Sequence, residues 1–496
     1  MLPRALRSPR LTIRTLLALA LLAAATPCAA ADGGDARETM VRAPDPVRWL
    51  QTYLAIDTVH RPPDDGSGGG GPGEAEAVDF LADLLAEAGI ASERWTSPAG
   101  HISLYARLPA TVAPGGEALV LMHHLDVVPA DATRWRHPPF DGRIHRGHIW
   151  GRGAIDVKSL GIAHVAALVD LVRSGAPRHR DIVLLAVADE ERGGNGGTGW
   201  LVEAKADRLA DVAGVLNEGG SNRVIGQQLM WWGIEIAQKR PLWLRLSARG
   251  RGGHASMVAP DSATHALLRA LARLVERPLA PRIGPVAQRV LDAAAPLEGT
   301  EHLLAALEAR LVREPERAVR QLPPSWPPLL LDTVQVTQLD ASHSPNSIAT
   351  EATARVDVRL LPDTDTDRYL DDLRATLGRR IEIEIVLEAP QAAPSPVDHP
   401  VYRMLARVLG VRGPVVPTMI SGDTDSRYFR ERGIPTYGIA PFVMPGGAMR
   451  GVHGPDESIA VDLFLRGCVT MRRMVEAWVA EPIAPSDADI AAASDD

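Results

Sequence analysis

Apolar positions along the chain follow two different periods. Residues 74–89 (EAEAVDFLADLLAEAG) put Val78, Leu81, Leu84, Leu85 and Ala88 on one face at helical spacing, with Gly89 as a stop. Residues 118–122, 182–188 and 212–216 are instead unbroken apolar runs of strand length, and 159–172 has a helical pattern. Buried strands separated by helices predict an α/β fold, a mostly parallel sheet flanked by helices on both faces.

Near residue 242 the period changes. Residues 242–248 (LWLRLSA) alternate as a half-buried strand does, and a helix follows over Ala263–Val275. A long helical stretch closed by LPPSWPP (322–328) precedes strands at 333–338 and 353–359, a helix at 365–378 and a strand at 381–387. Strand–helix–strand–strand–helix–strand is the order of a ferredoxin-like α+β unit. The expected organisation is a larger domain in two parts, 42–240 and 391–480, with a second domain inserted over 241–390. A helix is expected over 458–478, and no fixed-period repeat is visible.

The termini read differently. Arg4, Arg7, Arg10 and Arg14 precede an apolar run over 16–25, and small residues at 28–31 follow. That order is a secretory signal over residues 1–30, with cleavage after Ala30 or Ala31, and the run is too short to span a membrane. Pro27 argues against lipid attachment through Cys28, and no paired arginines support twin-arginine export. An exported location follows as the expectation, periplasmic or secreted. The glycine-rich DDGSGGGGPG before the first helix is a loop, and the acidic tail 481–496, which lacks aromatics, has a disordered composition.

Composition is ordinary for a globular protein, with 46% hydrophobic and 23% charged residues. Removing residues 1–30 takes away four arginines and no acid, which moves the formal charge from −8 to −12. An anionic surface argues against nucleic acid or an acidic membrane as partner. Cys468 is then the one remaining cysteine, so no intramolecular disulfide can form.

Chemistry-bearing residues gather where the apolar strands end. His124 and Asp126 follow the first run, two residues apart, a spacing that lets the carboxylate orient the imidazole. Asp156 lies in GRGAIDVK just before a helix, where capping is the plain alternative. Asp189, Glu190 and Glu191 end the 182–188 run and enter RGGNGGTG, which lacks the Gly-Lys-Ser/Thr of a phosphate loop. Adjacent carboxylates cannot point the same way on extended chain, so one can ligate while its neighbour faces a reacting water. Glu218 follows the 212–216 run, and His453 in GVHGPDE stands at the opening of a predicted helix. Imidazole and carboxylate ligands at the ends of strands suit a pair of divalent metal ions.

HLDVVP, WRHPPFDG, GRGAIDVKSLG, ADEERGG, NEGG, GGHAS, SPN, DVRLLP, GDTDSR and GVHGPDE occur in the order of metallopeptidase family twenty. The chain resembles these dizinc aminoacylases, carboxypeptidases, dipeptidases and desuccinylases over roughly residues 45–480, most of all the carboxypeptidase and N-acyl-amino-acid hydrolase branch. The resemblance implies that Asp156 bridges two ions, zinc or alternatively cobalt or manganese. It implies His124 and Glu218 on one ion, Glu191 and His453 on the other, Glu190 as general base and Asp126 holding His124. It further implies that His254 stabilises an oxyanion, in some relatives across a lid-to-lid homodimer, and that Asn346 and Arg359 bind substrate. Arg427 is a second carboxylate-binding candidate, with a helix-start ion pair to Asp423 or Asp425 as the alternative. Val157 departs from several relatives, which carry an acid there. The implied substrate is a small peptide or N-acyl amino acid. A metal-dependent binding protein without turnover is the alternative of another class, and the presence of Glu190 argues against it.

Overall fold

The computed structural model describes residues 46–60, 72–112, 116–445 and 451–480. The signal-like segment 1–30, most of the glycine-rich loop and the tail 481–496 lie outside them.

The strands Ala118–His124 and Ile182–Val187 are buried at every position, which is why their sequences are apolar without alternation. They pair in parallel, and Val212–Asn217 joins Ala118–His124 on its other side, also in parallel. Among the described residues the main sheet has nine strands. Its principal path runs Ser92–Thr96, Ile102–Leu108, Ile182–Val187, Ala118–His124, Val212–Asn217, Thr436–Gly438, Gln228–Gln238 and Val415–Ile420. The first two are antiparallel additions at one edge. They follow the amphipathic helix Pro72–Glu87, whose Val78, Leu81, Leu84 and Leu85 are all buried.

Helix Lys158–Ser174 is buried along nearly its whole length between the sheet and the helices Pro46–Ala55 and Val461–Ala480. It stops at Gly175, whose φ of 65° is the left-handed conformation that a glycine adopts without penalty. The helix expected over 458–478 is in part a strand. Ser458–Ala460 pairs with His148–Trp150, and the helix starts at Val461. His453 therefore does not open a helix; it sits in a turn ahead of that strand, at φ 56°.

Gln228–Gln238 passes through Lys239 directly into Arg240–Arg249, the first strand of a separate four-stranded antiparallel sheet. That sheet has the order Thr333–Asp340, Glu351–Leu360, Arg240–Arg249, Glu382–Glu388, and helices Ala263–Val275 and Thr366–Leu377 pack together on it. The expected ferredoxin-like insertion is present. Leu242, Leu244, Leu246 and Ala248 alternate into its core against Ala352, Ala354, Val356 and Val358.

The core of this insertion draws nothing from the helical stretch that lies between its first helix and its second strand. Ala287, Val290, Leu291, Leu307, Leu311, Trp326 and Leu330 instead join the core of the larger domain. Helix Pro285–Glu298 packs against Val415–Ile420 of the main sheet. The expected contiguous lid over 241–390 thus needs correction at this point. The chain leaves the small sheet after Ala263–Val275, lies on the large one, and returns at Thr333. Helical periodicity reports that a face is buried but not against which sheet.

Candidate metal centre

His124 is the last residue of its strand, so the sheet itself fixes where the ring points. Its Nδ1 donates to the backbone carbonyl of Asp126 at 2.7 Å, which leaves Nε2 as the ligating nitrogen of the neutral ring. The Asp126 carboxylate is 3.9 Å from that ring. Its oxygens accept instead from the backbone N–H groups of Glu190 and Glu191, at 3.1 and 3.0 Å. The expectation that the Asp126 carboxylate holds His124 is corrected accordingly. The strand ends at His124, and beyond it the side chain turns toward the neighbouring carboxylate-bearing turn.

Asp156 stands at the centre. Its Oδ1 lies 3.0 Å from His124 Nε2 and its Oδ2 lies 3.1 Å from His453 Nε2. Glu218, one residue past Val212–Asn217, approaches His124 Nε2 at 3.6 Å, and Glu191 approaches His453 Nε2 at 3.3 Å. Asp156 does not cap the following helix, which has no side-chain cap. The five residues expected to hold metal are therefore gathered around one carboxylate.

Glu457 holds the Asp156 loop from behind, a role the sequence did not reveal. Its Oε1 accepts from the N–H groups of Ile155 and Asp156 at 2.7 and 3.0 Å. Its Oε2 accepts from Gly153 N at 3.0 Å and from Arg152 Nη1 at 2.5 Å. Glu457 belongs to the same GVHGPDE segment as His453, so this segment supplies both a ligand and a brace. Its distance from Asp156 along the chain hides the connection.

The base-bearing turn is equally constrained. Asp189 has φ 69°, and Glu190–Arg192 form a single 3-10 turn after it. Gly194, at φ 65°, lies so close to Asp425 that a Cβ would fall 2.0 Å from its Oδ1. Asp425 Oδ2 in turn accepts from Thr198 Oγ1 at 2.6 Å. The RGGNGGTG run is thus a close-packed support for the turn, which explains its glycines without a phosphate.

These donors suit two divalent ions. Among these donors and Glu190, three triads have ligand atoms within 4.8 Å of one another: His124–Asp156–Glu218, Asp156–Glu191–His453 and His124–Glu190–Glu191. Asp156 belongs to the first two, as a bridge would. Glu191 Oε1 is buried and has no hydrogen-bond partner among the described residues, an orphan that a cation satisfies. The model of peptidase family M20/M25/M40 matches residues 120–477, well over half the chain.

The chain belongs to peptidase family M20.

This M20 protein is 25% identical to human Aminoacylase-1 over 448 residues, 89% of its own length and 97% of that protein's. Among solved structures it is similar to Sso-CP2, an M20 family metallo-carboxypeptidase from Sulfolobus solfataricus. That likeness has a TM-score of 0.65 at 18% identity, over 88% of this chain and 100% of the other. Human carnosine dipeptidase 1 is similar with a TM-score of 0.62 at 15% identity, over 88% and 97%. The site and the family together make this M20 chain a metallohydrolase.

Among the described residues, the lid residues of the M20 chain make no hydrogen bond to the metal-centre side chains. His254 is exposed on the short strand Gly253–His254, which pairs with Ser347–Ile348, and its Nδ1 lies 2.8 Å from Ser256 Oγ. Asn346 adjoins it, accepting from Ala255 N at 2.9 Å through its backbone oxygen. Arg359 forks onto Asp357 at 2.9 and 3.1 Å. Among the described residues, the hydrogen-bond partners of these three side chains all lie within the lid. Arg427 is buried over the Tyr428 ring, donates to Gly193 O and pairs with Asp423. The ion-pair reading of Arg427 is the one the structure shows, and its guanidinium is already engaged.

Crowded carboxylates bind protons where they do not bind metal. Burial pushes the Glu218 carboxyl up to about 8, with Asp156 and Glu191 adding repulsion against the pull of His124. Hydrogen bonds to Asp156 and Glu191 raise His453 to about 10. Burial also lifts Glu190 well above the carboxylate range. Folded Glu218 and His453 hold protons more tightly than the unfolded chain does. Chelated protein should therefore lose stability as pH rises, from 4.5 toward 8 through Glu218 and from 6.5 toward 10 through His453. Metal uptake runs the other way, since each displaced proton raises apparent affinity roughly tenfold per pH unit. Thermal midpoints measured over roughly pH 5 to 9 should fall for chelated protein, with a widening gap to metal-loaded protein. A gap that narrows with pH contradicts this account.

Proposed function

We propose that the protein is an exported dizinc amidohydrolase that cleaves an amide or peptide bond beside a free carboxylate. The reading rests above all on the sharing of Asp156 between His124 and His453. In it His124 and Glu218 would hold one ion and Glu191 and His453 the other, with Asp156 shared between the two sets. A divalent pair in such a site polarises a carbonyl and acidifies water. Glu190 takes the proton from the attacking water and hands it to the leaving nitrogen as the C–N bond breaks. Asp126 positions that base through the backbone of the turn.

The likeness to Aminoacylase-1 along nearly its whole length supports an N-acyl amino acid as substrate, with a carboxypeptidase substrate as the neighbouring choice. Arg359 is the proposed partner of the substrate carboxylate, exchanging its fork onto Asp357 for the substrate, with Arg427, which pairs with Asp423 and donates to Gly193 O, as the second candidate. His254 and Asn346 reach the substrate by closure of the lid or from the lid of a second copy. Export rests on the basic, apolar and small-residue order of residues 1–30. Among the described residues no helix is long and apolar enough to cross a membrane.

A screen of N-acyl amino acids, unblocked dipeptides and N-succinyl compounds tests the substrate class. Release of free amino acid from N-acyl amino acids is expected, lost with chelator and restored by zinc. Preferential cleavage of unblocked dipeptides or succinyl compounds would replace this reading with a dipeptidase or desuccinylase.

A further inference from the structure

A second histidine–carboxylate cluster lies behind the base-bearing turn, and the metal centre does not use it. His60, His101 and Asp189 each present a ligand atom, all within 4.8 Å of one another. His101 precedes the strand Ile102–Leu108 and is buried. Its Nδ1 donates to Glu74 Oε1 at 3.1 Å, while Glu74 Oε2 accepts from Ile102 N at 3.2 Å. Glu74 is itself buried, so it holds the ring in one tautomer and leaves Nε2 bare. A carboxylate on the far nitrogen is the usual support of a metal-binding imidazole.

That bare Nε2 faces Asp189 Oδ1 at 3.7 Å, too far for a hydrogen bond. Two ligands at about 2.0–2.1 Å from a tetrahedral ion stand roughly 3.4 Å apart, close to the spacing found. The other Asp189 oxygen accepts from Gly196 N at 2.8 Å, which fixes the carboxylate. Gly196 packs so tightly here that a Cβ would meet His101 Cδ2 at 2.6 Å. His60 stacks on His101 with ring centroids 5.3 Å apart, and its Nδ1 is buried without a hydrogen-bond partner among the described residues. The set is thus two imidazoles and one carboxylate, with a carboxylate brace and an unsatisfied nitrogen.

We propose that His60, His101 and Asp189, braced by Glu74, form a third divalent-cation site selective for zinc-like ions. Two nitrogens and one oxygen favour a borderline-soft ion over magnesium or calcium, and a fourth position remains for water. The site is separate from the pair around Asp156, but Asp189 is joined to Glu190 by one peptide bond. An ion there therefore abuts the turn that carries the proposed base.

Equilibrium dialysis of the full chain against zinc, followed by metal analysis, tests the proposal. Wild type is expected to bind one equivalent more than His60→Ala, and Glu74→Gln should weaken that same equivalent at least tenfold. His60 is only partly buried, so its replacement should leave the fold intact; the circular dichroism spectrum checks this. His60→Gln serves as the second variant if alanine perturbs the fold. Equal stoichiometry in wild type and both His60 variants overturns the site, as does an extra equivalent taken up equally from magnesium. The readout is a difference between proteins, so it stands whether or not the Asp156 centre hydrolyses an amide.

Discussion

Replacing Glu190 with glutamine should leave two metal equivalents at the Asp156 centre and lower kcat by about a hundred- to ten-thousand-fold, the range general acid–base catalysis supplies. Glutamine keeps the size of the side chain and removes the group that accepts a proton. The two acids of the turn are distinguished by their surroundings. Glu191 Oε2 pairs with His453 at 3.3 Å, whereas Glu190 is in ion-pair contact with neither His124 nor His453 among the described residues. Yet Glu190 also falls within a triad with His124 and Glu191 that has ligand spacing. The variant separates the two roles. Metal retained with activity lost marks a proton carrier; metal lost with activity marks a ligand. Hydrolysis within tenfold of wild type would remove Glu190 from the mechanism altogether.

Asp156→Ala should have the broader effect. Both oxygens of this carboxylate face imidazoles on opposite sides, so its loss takes a ligand from each ion at once. The variant should bind fewer than two equivalents at that centre and show no detectable hydrolysis. It should also lose the thermal stabilisation that metal gives wild type, about 2.7 kcal/mol when free ion is a hundred times its Kd. Asp156→Asn keeps one oxygen and should retain partial occupancy. Wild-type metal content in Asp156→Ala would show that the two halves of the site are independent, and the bridged centre would have to be abandoned.

The residues that surround these two carboxylates differ in how visible they were. His124, Glu190, Glu191 and Glu218 follow unbroken apolar runs, and such runs in alternation with helices imply parallel strands whose ends share one edge. Order along the chain was therefore enough to bring them together. Asp156 and His453 lie on loops without periodicity, and only the family's motif order gave them their roles as bridge and ligand. Glu457 escaped notice because its worth lies in four hydrogen bonds to a loop far back in the chain. Arg427 was ambiguous for a related reason. A guanidinium after GDTD suits a substrate or an ion pair equally, and burial over Tyr428 decides for the internal partners.

Hydrophobic period by itself determined the two kinds of sheet, the helices between them and the acids and histidine at the strand ends, because burial on one face or two leaves a local signature. Tertiary structure alone decided which core the helices between Ala263–Val275 and Thr333–Asp340 would join. It alone turned the Asp126 carboxylate from His124 to the Glu190 turn, and it alone set His60 and His101 beside Asp189. Each of these depends on which distant segment lies across the contact. A chain's local pattern records that a surface is covered; the covering partner is chosen by packing among all the elements at once.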